Sequence, residues 1–168
     1  PMVEIGGKPM LWHILKFYKF HGHHDFLICM GYKQEKIIEY FINFDSINES
    51  INIDMGKNNI LKFQNKEKDL KEVKVTLVDT GLDTNTGGRI NKIKDKIVPG
   101  ESFMITYGDG LSNVDIKQLI EFHNSHDGIA TFSATRTKSR FGVIETNKDN
   151  LVTSFDEKGE LELSLIHI

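Results

Sequence analysis

The chain has 168 residues, of which 39% are hydrophobic and 27% charged, and its formal net charge at pH 7 is -3. This length and apolar content are enough for one globular domain with its own core, without stabilisation by disulfides or metal ions. Because acidic and basic residues nearly balance and form no long runs of one sign, no general affinity for nucleic acid or anionic membranes is implied, and any phosphate binding must come from a local site.

The single cysteine predicts a reducing compartment. Cys29 lies in the apolar run 26–30 and has no second cysteine with which to pair, so a buried thiol is expected rather than a nucleophile. No apolar run approaches the length of a membrane span, and the first residues lack a signal-peptide core. We expect a cytoplasmic protein with neither membrane nor nucleic acid as partner.

Apolar periodicity predicts the elements of the first half of the chain. A helix over 9–21 is expected to end near Gly22, because glycine readily adopts the left-handed conformation that closes helices. A strand, a second helix and a hairpin follow, at 26–30, 34–44 and 51–63.

The second half continues to alternate strands with helices. Strands are predicted at 73–79 and 102–107, and the helices that follow them at 90–97 and 114–125. Three further short strands are expected, at 129–135, 142–146 and 151–155. The alternation predicts an α/β fold, a Rossmann-like three-layer sandwich with a mostly parallel mixed sheet.

Asp109 is the first candidate for chemistry. It stands between Gly108 and Gly110 directly after a predicted strand, where ligands collect in open α/β sheets, and its carboxylate can reach a metal ion or a metal-bound phosphate. Asp-Gly is also a common hairpin turn that needs no function. The helical spacing over 114–125 favours a strand-to-helix corner, but the residues alone leave both interpretations open.

A second cluster joins the segments 79–81 and 86–89, which read Asp-Thr-Gly and Thr-Gly-Gly-Arg. Thr86 is predicted to cap a helix whose first turn holds two glycines, so a nucleotide could approach the main chain closely, helped by the helix dipole and by Arg89. An ordinary glycine loop with a solvent-facing arginine explains the same residues, and this pattern matches neither the Walker nor the dinucleotide motif.

Three weaker features complete the survey. Gly142 opens a strand and would let a sugar or phosphate lie against the backbone, although a turn uses glycine equally often. Glu157 and Lys158 could bind sugar hydroxyls and a phosphate, or form an uninformative surface pair. The histidines within 21–24 suggest a metal site, but a solvated helix terminus is favoured, since neighbouring residues rarely face one centre.

The order of motifs closely resembles the glucose-1-phosphate cytidylyltransferase branch of the sugar nucleotidyltransferases. The matching segments are Pro1–Ile14, Gly31–Lys33, Lys74–Gly81, Thr86–Arg89, Thr106–Gly110 and Arg140–Gly142. The opening block and the pair formed by 79–81 and 86–89 are specific to that branch, whereas Gly-Asp-Gly is shared more widely. The resemblance covers residues 1–158.

The resemblance implies a magnesium-dependent enzyme that joins CTP to α-D-glucose 1-phosphate and releases pyrophosphate and CDP-glucose, as in bacterial nucleotide-sugar and lipopolysaccharide O-antigen biosynthesis. It implies that Asp109 is catalytic and holds Mg²⁺. It further assigns nucleotide binding to Thr86, Gly87, Gly88, Arg89, Tyr107 and Gly108. Sugar-phosphate binding is assigned to Gly142, Glu157 and Lys158.

The sequence also departs from that family. Its members begin with a strand and a Gly-Gly-x-Gly-Thr-Arg loop around the triphosphate, which this sequence lacks, so we expect a nearly inactive fragment with a partial nucleotidyltransferase domain at 1–158. Residues 159–168 resemble nothing in the family and are interpreted as an unassigned tail, suspected of being an artefact. A nucleotidyltransferase for another base or sugar, a non-catalytic nucleotide- or sugar-binding module, and a homo-oligomer of the full-length protein stay open as alternatives.

Overall fold

The computed structural model of the protein describes residues 1–44, 50–54, 59–63, 69–138, 143–156 and 160–166. Residue contacts divide the chain into two compact units, Pro1–Phe103 and Met104–Ile168. Within the described residues, no helix is both long enough and apolar enough to cross a lipid bilayer.

The described residues of the first unit form three α-helices and six strands. The helices are α1 (Met10–Phe20), α2 (Gln34–Ile42) and α3 (Thr86–Ile93), and a short 3₁₀ turn, Lys94–Lys96, follows α3. The strands are β1 (Glu4–Ile5), β2 (Lys8–Pro9), β3 (Asp25–Met30), β4 (Ser50–Asp54), β5 (Asn59–Phe63) and β6 (Lys74–Asp79).

Strands β3 and β6 form a parallel pair, which is the sheet element that positions the candidate site. Their register runs without a shift from Asp25 opposite Lys74 to Met30 opposite Asp79. Parallel strands require a crossover connection, and here it includes α2 and the antiparallel hairpin of β4 and β5. Because the register has no shift, both strands end at the same edge of the sheet.

The core of the first unit gathers residues of α1, α2 and β3. Leu11, Met30 and Ile37 are buried together, and five partly buried apolar residues pack against them: Met2, Ile28, Ile38, Phe41 and Leu77. The apolar face of α1 also buries Leu15, which is only 1% exposed. Burying a leucine completely contributes about 2 kcal/mol, so this face fixes α1 against the sheet.

The described part of the second unit forms one α-helix and four strands, α4 (Ile116–Asn124), β7 (Ser133–Lys138), β8 (Val143–Thr146), β9 (Val152–Asp156) and β10 (Glu160–Ile166). β8 pairs with β9 and β7 with β10, both antiparallel. Asp115 caps α4 with its carboxylate, which accepts a hydrogen bond from the backbone N–H of Gln118 at 3.1 Å.

Most predicted elements are confirmed within a few residues, but the strand predicted at 102–107 is wrong. That segment has no regular secondary structure, and within the described residues no strand pairs with it. Without a partner it has no ladder of hydrogen bonds to hold it extended. Its alternating apolar residues stay about half exposed, with Phe103 at 50% and Tyr107 at 40%.

The predicted tail at 159–168 includes β10, which pairs with β7 from Ile166 opposite Ser133 to Glu160 opposite Lys138, with one register irregularity. The segment therefore forms a strand, for which the sequence interpretation had no structural expectation. The domain boundary after residue 158 stays a prediction.

Candidate functional site

The carboxyl ends of β3 and β6 form the candidate site of the first unit. The last paired residues of the two strands are Met30 and Asp79, and the loops that follow lead to α2 and α3. In open α/β sheets, ligands bind outside the carboxyl ends of parallel strands, where two such loops diverge.

Thr80 links the ends of the two strands. It is fully buried, and both its backbone N–H and its hydroxyl donate to the carbonyl oxygen of Met30, at 3.0 and 2.7 Å. A buried hydroxyl that found no partner would lose roughly 1–3 kcal/mol, so the bond is required as well as favourable. Thr80 thereby fixes the start of the loop that carries Gly81.

Arg89 extends from α3 across the same strand ends. Its Nη1 donates to the carbonyl oxygen of Met30 at 2.8 Å and to the hydroxyl oxygen of Thr80, and its Nη2 donates to the carbonyl oxygen of Leu82 at 3.3 Å. A guanidinium offers five N–H donors in a fixed planar fork, which suits it to such bridging. The side chain therefore bonds to the protein and does not project into solvent. The alternative of an ordinary glycine loop predicted a solvent-facing arginine.

Gly31 makes room for this guanidinium. A Cβ atom at residue 31 would lie 2.7 Å from Nη2 and 2.9 Å from Nη1 of Arg89, and 2.9 Å from the carbonyl oxygen of Gly81. All three distances are shorter than carbon can approach these atoms. Only glycine fits at this position while Arg89 keeps its hydrogen bonds.

Lys92, one turn further along α3, holds the loop after β6 from its other side. Its ammonium donates to the carbonyl oxygen of Thr80 at 2.8 Å and to the hydroxyl oxygen of Thr84 at 3.2 Å. Gly81, in the same loop, has φ +86°, a left-handed conformation that glycine adopts without steric penalty. Arg89 and Lys92 thus both fasten α3 to this loop.

Asp79 stabilises the turn into the loop and contacts α2. Its Oδ1 accepts a hydrogen bond from the backbone N–H of Gly81 at 2.9 Å, and its Oδ2 accepts a long one from Nε2 of Gln34 at 3.5 Å. The first of these is the local side-chain to backbone bond that makes aspartate frequent in turns. The carboxylate therefore shapes the loop between β6 and α3.

The start of α3 differs from the prediction in one respect. The helix begins at Thr86 and its N-cap is Asn85, which has an extended backbone and makes no side-chain capping bond, so the prediction of Thr86 as the cap is wrong. The two glycines behave differently. A Cβ at Gly88 would meet the Thr84 methyl at 2.9 Å, whereas one at Gly87 would meet no atom within 4 Å. The first turn of α3 is therefore open beside Gly87.

Asp109 lies in the second unit. It is exposed and forms a turn with Gly108, in which the backbone N–H of Gly110 donates to the carbonyl oxygen of Tyr107 at 3.4 Å. The strand expected before it is missing, but α4 follows at Ile116 as the sequence predicts. A Cβ at Gly110 would meet no atom within 4 Å, so one flank of this carboxylate is unobstructed.

The predicted sugar-phosphate residues Gly142, Glu157 and Lys158 lie outside the described residues. Their roles stay predictions, and so do those of the nucleotide-binding residues.

The three histidines within 21–24 are partly buried, and His21 and His23 lie beside aromatic rings. His21 lies 5.0 Å from Phe17 between ring centroids, and burial, with lesser contributions from its two histidine neighbours, lowers the pKa of His23. No three histidine, cysteine or acidic side chains in the described part of the chain are grouped so as to hold a metal ion.

Cys29, predicted to be a buried thiol, is a free cysteine of intermediate exposure. Burial raises its pKa, and the positive charge of Arg89 opposes this shift. A thiol with a raised pKa is a poor nucleophile at neutral pH, as the sequence analysis expected.

Sequence reasoning missed the roles of Gly31, Thr80 and Lys92. A glycine directly after an apolar strand could have indicated a close contact there. Nothing in the sequence, however, identifies Arg89 as the group that this glycine accommodates, because the two residues are far apart in the chain and meet only through the parallel pairing of β3 and β6.

A parallel strand pair whose ends are bonded to a following helix through Arg89 and Lys92 defines an α/β protein. The family model described as Nucleotidyl transferase matches residues 1–166. The chain belongs to the nucleotidyl transferase family, which confirms the resemblance and the predicted α/β fold.

Two relatives and one solved structure illustrate the similarity. Glucose-1-phosphate cytidylyltransferase of Salmonella typhimurium is 42% identical over 167 residues, which are 99% of this chain and 63% of the relative. Probable glucose-1-phosphate cytidylyltransferase of Bacillus subtilis is 39% identical over 158 residues, 94% of this chain and 60% of the relative. The crystal structure of HddC from Yersinia pseudotuberculosis superposes with a TM-score of 0.60 at 24% identity, covering 99% of this chain and 63% of that one.

The chain thus spans 63% of the Salmonella relative and 60% of the Bacillus relative.

Proposed function

We propose that the protein is a nucleotidyltransferase that joins CTP to α-D-glucose 1-phosphate and releases pyrophosphate and CDP-glucose. The observation that carries the proposal is the 42% identity, along almost the entire chain, to a Salmonella typhimurium protein with the name of that activity. The site at the carboxyl ends of β3 and β6 supports it, because a nucleotide needs main-chain donors and close approach there.

The nucleotide is proposed to bind beside the first turn of α3. Thr86, Gly87 and Gly88 begin this helix, and the space beside Gly87 lets a base or a phosphate approach its backbone. Tyr107 and Gly108 belong to the second unit, and their role in nucleotide binding is proposed on the resemblance alone. The sugar phosphate is assigned to Gly142, Glu157 and Lys158.

The proposed reaction needs no strong general base. A phosphate oxygen of glucose 1-phosphate is already anionic, and it attacks the α-phosphorus of CTP in line. The new oxygen–phosphorus bond forms as the bond from the α-phosphorus to the bridging oxygen breaks, and pyrophosphate leaves with that electron pair. Positioning and charge neutralisation then supply most of the catalysis.

Asp109 is proposed to hold Mg²⁺. Its exposed carboxylate supplies the hard oxygen that this ion prefers, and the open space beside Gly110 leaves room for a hydrated ion. Mg²⁺ is commonly bound by one or two carboxylates together with substrate phosphates, so one aspartate is compatible with the ion. When bound, Mg²⁺ would neutralise negative charge on the phosphates.

The wider setting of the proposed reaction follows from its product. We expect a cytoplasmic enzyme that supplies a nucleotide sugar to bacterial O-antigen biosynthesis, and a homo-oligomer of the full-length protein stays an alternative.

The proposal is tested by following pyrophosphate release from the full-length protein with CTP, glucose 1-phosphate and Mg²⁺, omitting each in turn. We expect turnover that requires all three. Asp109→Asn should lower kcat at least about a hundredfold, since removing one electrostatic group from such a site has effects of that size. Asp127→Asn, an exposed aspartate in the same unit, is the matched control and should turn over normally.

Three other results would change the proposal. Release with UTP, dTTP or GTP but not CTP would retain the reaction and reject the base. Release with CTP and a sugar phosphate other than glucose 1-phosphate would reject the sugar. Nucleotide binding without turnover under any condition, with affinity unaffected by Asp109→Asn, would indicate a binding module.

A further inference from the structure

The most connected polar side chain of the candidate site is that of Arg89. Through two of its nitrogens it reaches three oxygens: the carbonyl of Met30, the last residue of β3, and the hydroxyl of Thr80 and the carbonyl of Leu82 in the loop after β6. The arginine itself belongs to α3, in the turn that carries Gly87 and Gly88. One side chain therefore joins all three elements that border the site.

We propose that Arg89 is a positioning residue of the nucleotide site: it acts on the nucleotide indirectly, by holding the first turn of α3 against the ends of β3 and β6. This inference rests on the proposed function. It assigns to the arginine a role different from that of a phosphate ligand, because a guanidinium already bonded to three protein oxygens presents few N–H groups to a ligand.

The shape of the site supports indirect action. Gly31 brings its backbone close to the guanidinium, because a Cβ at this position would lie within 2.9 Å of both terminal nitrogens. The guanidinium thus packs directly against the main chain at residue 31, which only glycine permits. Its hydrogen bond to Met30 is part-buried, where loss of a charged donor has a larger effect than at the surface.

The geometry also explains why lysine could not replace this arginine. The acceptors on Met30 and Leu82 are served by different terminal nitrogens, Nη1 and Nη2, in one planar group. An ammonium is a single point of charge and cannot reproduce both directions of the fork. A phosphate ligand, by contrast, is often satisfied by lysine.

The test measures dissociation constants of CMP, CDP and CTP for the full-length protein by calorimetry. For Arg89→Lys we expect affinity to fall about tenfold, and equally for all three nucleotides. A displaced first turn of α3 weakens contacts with the part of the nucleotide that all three share. A loss that grows with the number of phosphates, or full affinity in Arg89→Lys, would identify a direct phosphate ligand and overturn the inference. Lys94→Gln, an exposed cation beyond α3, controls for general charge effects and should leave the three constants unchanged.

A double-mutant cycle provides a second measurement that does not depend on the folding of Arg89→Lys. Gly31→Ala displaces the guanidinium without changing the charge of the protein, so we expect a uniform loss of affinity for the three nucleotides. In an Arg89→Gln background the same glycine substitution should have a smaller effect, because the clash with the guanidinium is removed and only that with the carbonyl oxygen of Gly81 remains. Undiminished affinity in Gly31→Ala would overturn the inference.

The wild-type protein separates this inference from the function on which it rests. If the wild type binds none of the nucleotides, including GTP and UTP, the proposed function and the inference both fail. If it binds CTP while the substitutions act only on the phosphate-rich ligands, the inference alone fails. If it binds another nucleotide instead, the same substitutions are compared on the mono-, di- and triphosphates of that base.

Discussion

Thr80 donates two hydrogen bonds to one atom, the carbonyl oxygen of Met30, through its backbone N–H at 3.0 Å and its hydroxyl at 2.7 Å. The oxygen that receives them also accepts from Arg89. The end of β3 is therefore held at a single point by Thr80, which directly follows β6, and by Arg89 of α3. This convergence makes the strand ends a rigid base on which the loops of the candidate site are built.

Thr80→Val is expected to destabilise the protein by about 1–2 kcal/mol, because it removes a buried hydrogen bond while keeping the volume of the side chain. The guanidinium of Arg89 also loses one acceptor. Chemical denaturation of the full-length protein measures the change as a lower midpoint at unchanged slope.

Thr146→Val is the matched control. This threonine is exposed at the end of β8, and surface substitutions usually stay within about 0.5 kcal/mol. Equal stabilities of Thr80→Val and the wild type would show that the hydroxyl bond contributes nothing.

Leu15→Ala should destabilise the protein by about 2–5 kcal/mol, since it removes three carbons from a site where the side chain is 1% exposed and leaves a cavity. Phe20→Ala on the same helix is the control, because Phe20 is 84% exposed and its larger truncation should have little effect. Thermal unfolding of both variants ranks the two positions. A greater loss for Phe20 than for Leu15 would contradict the described packing of α1.

Local elements were predictable from the sequence and their long-range contacts were not. The helix over Met10–Phe20 follows from the spacing of Leu11, Leu15 and Tyr18, and Gly22 with φ +91° ends it as predicted. Such signals act within a few residues of the chain. The contact of Arg89 with Gly31 depends on the parallel register of β3 and β6, which no local pattern specifies.

The two errors of prediction have the same origin. The segment 102–107 has the alternation of a strand but no partner within the described residues, so its backbone is not held extended. Thr86 has the chemistry of a cap, yet the helix begins at that residue and Asn85 occupies the capping position. In both cases the residues favour the predicted structure locally, but the rest of the chain determines whether that structure forms.

His23 gives the stability of the first unit a defined dependence on pH. Burial is the main cause of its lowered pKa, and the charges of His21 and His24 add to it. The unfolded chain therefore binds a proton more readily than the folded one. The contribution of His23 to stability is present above its ordinary pKa of 6.5 and is lost as the pH falls through the lower folded value.

We expect the denaturation midpoint of His23→Gln to fall less between pH 7 and pH 5 than that of the wild type. His21→Gln should show the same change to a smaller extent. An unchanged pH dependence in His23→Gln would contradict the assignment.

Gly87→Ala separates stability from function at the first turn of α3. Alanine favours a helix over glycine by about 1 kcal/mol, and a Cβ at this position meets no atom within 4 Å, so the variant should unfold at a higher temperature than the wild type. The same methyl group enters the space through which the nucleotide is proposed to approach the backbone, so affinity for CTP should fall. Gly88→Ala is the comparison, because its methyl would strike Thr84 at 2.9 Å and should lower stability. A Gly87→Ala protein that is more stable and binds CTP as tightly as the wild type would place the nucleotide elsewhere.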